Sequence, residues 1–88
     1  MPYIEQYKRE ELENAINVLA AKLSMTNSEA GDINYTITKL LQGQLGLEPT
    51  YDEINKVMGI LECVKQEFYR RYASPYEDDK AKKNGDVY

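Results

Sequence analysis

Histidine and tryptophan are absent from this chain, and cysteine occurs once, at Cys63. Without histidine, neither the Ser/His and Cys/His nucleophile pairs nor the common histidine-ligated zinc sites can be built from one copy. A lone cysteine excludes an intramolecular disulfide and a cysteine-cluster metal site. Cys63 sits beside Leu61 and Val64, so it is expected as a buried small hydrophobe and not as a reactive thiol. No apolar run approaches the roughly 20 residues of a membrane-spanning helix. The opening Met1-Pro2-Tyr3-Ile4-Glu5 has neither the basic nor the apolar region of a signal peptide, which sets the expectation of a cytoplasmic protein with no membrane association. No metal site and no cofactor are expected.

Positive charge is the next shortage. Eleven bases stand against 15 acids, a net charge of -4, so the surface repels phosphate backbones on average and argues against DNA or RNA as a partner. The densest basic group, Lys65, Arg70 and Arg71, falls at the end of an expected helix, where it complements the helix dipole. Hydrophobic residues make up 42% and charged residues 30%, an ordinary globular balance. A chain of 88 residues forms one domain, 1–88, with a thin core; it is expected to bury ~60 to 65% of its unfolded surface.

What is present is helical periodicity. Leu12, Ile16, Leu19 and Leu23 recur at spacings of four, three and four, which predicts a helix over 6–24. Met25 to Gly31 loses the period and reads as a loop. Asp32 is the expected N-cap of a second helix over 32–45, carrying Ile33, Ile37, Leu40, Leu41 and Leu45, with Gly46 as its stop. After Pro49, Thr50-Tyr51-Asp52-Glu53 spells a capping box ahead of Ile54, Val57, Met58, Leu61, Val64, Phe68 and Tyr72, a third helix over 51–73. Ser74-Pro75-Tyr76-Glu77 is a second box, which predicts that the chain restarts as a short helix over 75–83 and folds back onto the aromatic end of the third. Asn84-Gly85 stops it and leaves Gly85–Tyr88 as an extended tip. The expected fold class is all-α: a three-helix bundle with a short fourth C-terminal helix.

Eight tyrosines are the compositional excess, and four of them, Tyr69, Tyr72, Tyr76 and Tyr88, crowd the C-terminal quarter. Tyrosine offers large contact area at low entropic cost together with a polar handle. Phe68, Tyr69, Arg70, Arg71, Tyr72, Tyr76 and Tyr88 are therefore the candidate interface residues, Tyr76 and Tyr88 being the better candidates for contacts, while Tyr7, Tyr35, Tyr51 and the body of Tyr72 are expected to pack with the hydroxyl at the surface. The catalytic alternative rests on Glu10-x-x-Glu13 followed by Glu29-x-x-Asp32. Carboxylates three apart share a helix face, so two such pairs could hold magnesium against a nucleotide's phosphates. This spacing resembles the ExxE and ExxD pattern of the all-helical nucleotide pyrophosphatases related to MazG. Gly31 interrupts the second pair, and no catalytic residue is assigned.

Four stretches carry a second resemblance: Met1-Pro2-Tyr3-Ile4, Gly31 to Leu41, Gly59 to Arg71, and Pro75 through Tyr88, with its Pro-Tyr-Glu-Asp and Asn-Gly-Asp-Val-Tyr runs. Together they are similar to a family of short hypothetical proteins of bacteriophage and bacterial genomes. The resemblance implies a phage-type accessory protein in the host cytoplasm, non-enzymatic, binding a host or phage macromolecule, with anti-defence inhibition as one such role. The expected partners are a second copy, a different protein, or both. The alternative is a nucleotide-binding protein, a sponge for a signalling nucleotide or a magnesium-dependent pyrophosphatase, in which Lys39, Lys65, Arg70 and Arg71 meet the phosphates.

Overall fold

The computed structural model describes residues 1–25 and 27–88; Thr26, inside the expected loop after the first helix, lies outside them. The described residues form an all-α chain: α1 (Gln6–Met25), α2 (Ala30–Gln42), α3 (Tyr51–Phe68), a wide π turn (Tyr69–Ala73) and α4 (Ser74–Asn84). Periodicity and caps account for most of these boundaries. The Thr50 hydroxyl accepts from the Glu53 backbone N–H at 3.2 Å, satisfying one of the donors a helix start leaves open.

Two boundaries differ from expectation. The N-cap of α2 is Glu29, not Asp32; Asp32 occupies the third helical position, and its carboxylate accepts from the Glu29 backbone N–H at 2.9 Å. The carboxylate thus works as the reciprocal half of a capping box. At the other end the helix stops at Gln42 and tightens into i to i+3 bonds, Gln44 N–H to Leu41 O and Leu45 N–H to Gln42 O, both 3.0 Å, before Gly46 is reached. The Thr36 and Thr38 hydroxyls donate to the Asp32 and Asn34 carbonyls at 2.9 and 2.8 Å, which keeps these β-branched residues compatible with the helix.

The larger correction concerns the tail. α4 does not fold back. Phe68, Tyr69, Ala73 and Ser74 all hold right-handed helical backbone, so the chain runs on through the expected restart. Ser74 caps nothing; its N–H donates to the Tyr69 carbonyl across a wide turn. Proline explains the geometry. Pro75 has no N–H to donate and its ring crowds the carbonyl one turn back, and a π turn makes the room that an α turn lacks. From Tyr51 to Asn84 a helix spans about 51 Å at its usual rise, matching the molecule's longest dimension of 51 Å. Gly85 ends it with φ 94°, a conformation suited to glycine, and donates its N–H to the Ala81 carbonyl at 2.9 Å.

No side chain among the described residues is buried. The best-covered apolar side chains in the helices, Leu19, Leu23, Leu41 and Val57, and Leu45 just beyond α2, are half-buried. All eight tyrosines are exposed, Tyr7, Tyr35, Tyr51 and Tyr72 included, and so is Cys63, against expectation. The accessible surface is 8263 Å². A folded monomer of this mass exposes about 5,300 Å², and its unfolded chain about 14,800 Å². The chain therefore buries only about 45% of its unfolded surface, short of the expected share. Helical periodicity marks the face of each helix that wants cover; the three helices meet as an open bundle and leave much of that face unmet.

Candidate functional site

Four of the residues singled out for binding, Phe68, Tyr69, Tyr72 and Tyr76, gather along one side of the α3–α4 rod, whereas Arg70, Arg71 and Tyr88 lie elsewhere. Phe68 and Tyr72, four apart, bring their rings to 4.9 Å between centroids, tilted by 30°. Together with Lys65, Tyr69, Ala73, Tyr76 and Glu77 they line an open groove that crosses the π turn. Phe68 is 63% exposed, Tyr69 61%, Tyr72 68% and Tyr76 60%. Aromatic rings this exposed, contiguous and on a rigid helix are a binding surface in the making. The Lys80 ammonium lies over the Tyr76 ring, 5.7 Å from its centroid, a cation–π contact.

A second groove flanks the same aromatic pair on the side facing the N-terminal segment, lined by Pro2, Val64, Glu67, Phe68, Arg71 and Tyr72. Here a contact appears that no spacing in the sequence announces. The Tyr3 hydroxyl donates to the Glu67 carboxylate at 2.6 Å, and the Arg70 guanidinium binds the same carboxylate, its Nε at 3.2 Å from Oε2. Arg9 Nε donates to the Ile4 carbonyl at 2.8 Å, tying the segment to α1. Met1–Glu5 thus straps the first helix to the third, and Glu67 is its anchor. The contact joins residues 64 apart in sequence, so local pattern could not have found it.

The electrostatics of the strap fix its pH response. The Arg70 hydrogen bond first, and the Tyr3 hydrogen bond second, hold the Glu67 carboxyl below the usual carboxylate range. A carboxyl depressed in the folded chain contributes stability above its unfolded pKa and loses it as pH falls through the folded value. The Glu67 side-chain carbon resonance should therefore titrate at lower pH than an ordinary glutamate. Arg70→Ala should raise that midpoint more than Tyr3→Phe does, in the order of the two causes. An unchanged midpoint in Tyr3→Phe would mean the strap is not held through this hydroxyl. Along the same helix, Gln66 and then Lys65 lower the Glu62 pKa, with the Lys65 ammonium 3.6 Å from its carboxylate.

The other candidate residues are scattered. Glu10 and Glu13 lie on α1, while Glu29 and Asp32 are taken up in the cap of α2. Among the described residues no three His, Cys, Asp or Glu side chains converge as metal ligands. Tyr88 lies at the tip, where its backbone N–H donates to the Asp86 carboxylate at 2.9 Å in a local turn. The tip lines a shallow cleft along α4 with Lys80, Ala81 and Asn84. Among the described residues no helix is long and apolar enough to cross a membrane.

A family model described as Domain of unknown function (DUF6899) matches residues 1–87, and the chain belongs to that family. No curated protein and no solved structure matches it.

Proposed function

We propose that this member of the DUF6899 family is a non-enzymatic accessory protein that works by association, its aromatic α3–α4 face being covered by another macromolecule. The observation that carries the reading is the missing core: no side chain among the described residues is buried, and Phe68, Tyr69, Tyr72 and Tyr76 stand open in one row. Surface of this kind on a chain this small is completed by a partner. The similarity of the C-terminal run to short phage proteins supports placing it among phage-type accessory proteins of the host cytoplasm, where an anti-defence inhibitor would act. One observation favours the nucleotide-binding alternative: Lys65 shares the groove with three tyrosines, the pairing of cation and ring that suits a phosphate and a base.

The two readings part on a single comparison. A tagged full chain is expressed in a bacterial host, the co-purifying macromolecule is isolated, and its binding to wild type and to Tyr69→Ala with Arg71→Ala is measured. The expected result is direct binding that falls roughly 100-fold in the variant, as aromatic and arginine anchors do. A monomeric chain that unfolds cooperatively and shifts its melting temperature only with nucleotide and magnesium would replace the proposal with its alternative.

A further inference from the structure

The open face of the long helix carries a repeat. Ile54, Met58, Leu61, Lys65, Phe68 and Tyr72 succeed one another at spacings of four, three, four, three and four, the two seam positions of a heptad. Tyr76 comes four residues after Tyr72 where the repeat needs three. The π turn at Tyr69–Ala73 absorbs that extra residue, since it inserts one residue into the helical ladder and rotates α4 back by about 100°. Tyr76 accordingly lines the same groove as Phe68 and Tyr72. A seam that survives a break in the helix is a seam built to meet another helix.

We infer that the occupant of this seam is a second copy of the chain, docked antiparallel about a two-fold axis near Cys63. The inference rests on the reading of the chain as an association protein and names its first partner. Area supports it: the excess of about 2,900 Å² over a folded monomer is more than the ~800 Å² per partner that a stable complex buries. Lys65 sets the orientation. It is the one charged residue at a seam position, and in a parallel pair it would meet its own counterpart, like charge against like charge across the axis. Antiparallel, with the axis at residue 63, Lys65 lies across from Leu61 and reaches Glu62 of the second copy as well as its own Glu62, already at 3.6 Å. Met58 then meets Phe68, a sulfur-to-ring contact, and Ile54 meets Tyr72. Cys63 and Arg70 fall on the outer face and stay in water.

Spin labels read the arrangement directly in the full chain. A label on native Cys63, near the axis, should report a pair distance under about 30 Å in either orientation, because packed helices lie 8–10 Å apart. A label on Lys82→Cys in a Cys63→Ser background should report about 57 Å in the antiparallel pair, from the helical rise over residues 63 to 82 counted twice. Short distances from both labels would overturn the antiparallel register. Sedimentation gives the remaining outcomes. A monomer at 100 μM that unfolds without cooperativity and binds an apolar dye would remove the second copy while leaving a need for some other partner. A cooperative monomer indifferent to Phe68→Glu would remove both.

Discussion

Leu61→Asp should abolish self-association. Leu61 occupies the seam next to the inferred axis, where each dimer contains it twice. Leu61 is 36% exposed in a single copy, so each copy loses only the burial of that remainder, about 0.5–1 kcal/mol, and adds the larger cost of a carboxylate that must be kept from water or neutralised. Two copies together amount to roughly 4–6 kcal/mol, a rise of about 1,000- to 20,000-fold in the dimer dissociation constant. Cys63→Asp, two residues on and exposed on the outer face, places the same charge outside the seam and should change the constant by less than about threefold. Sedimentation equilibrium on the pair decides the matter: equal behaviour of the two variants would mean that α3 does not present this face to a partner.

The same substitution should reach the fold itself. α1 and α2 run for 20 and 13 residues with no buried side chain. Helices of that length are marginal in water when nothing packs on them. Dissociation should therefore lower far-UV helicity as well as mass, and the wild-type melting temperature should climb with protein concentration. A melting temperature independent of concentration over a hundredfold range would contradict the dependence of folding on association.

The helices were legible in the sequence because each of their signals is local. Thr50 and Glu53 are three residues apart, and their hydrogen bond needs nothing else to form. The Asn84-Gly85 stop is local as well, and it stands where it was expected. Asp32 shows how a local signal misleads by a few residues: an acid after glycine suits the N-cap and the third helical position alike, and only the chain's path through Glu29 distinguishes them. Burial was not legible at all. Periodicity predicts that Tyr35, Tyr51 and Cys63 have neighbours, but in a single copy they remain exposed. The strap from Tyr3 to Glu67 was equally hidden, because it depends on where two distant helices end. Of the candidate site, the aromatic row was visible as composition, and the heptad from Ile54 to Tyr72 lay within the expected third helix; that Tyr76 joins it became visible only once α4 was found to continue α3.

That continuation makes Pro75→Ala the most informative change in the tail. Proline inside a helix costs about 3 kcal/mol relative to alanine when it must sit in a regular α turn; the π turn relieves part of that by opening the ladder, with Ser74 N–H bonded to Tyr69 O. Alanine restores the missing donor, so the turn should close into α-helix and the rod should gain about 1–2 kcal/mol of local stability. Closing the turn also removes the extra residue from the ladder and swings α4 forward by about 100°. Tyr76 then leaves the groove it shares with Phe68 and Tyr72. Pro75→Ala should therefore slow amide exchange across residues 71–76 while weakening association by roughly tenfold, the loss of one aromatic contact per copy. A variant that becomes more helical and associates more tightly would show that the break serves only to tolerate proline. One that becomes more helical and associates less would show that the π turn keeps the aromatic seam in phase.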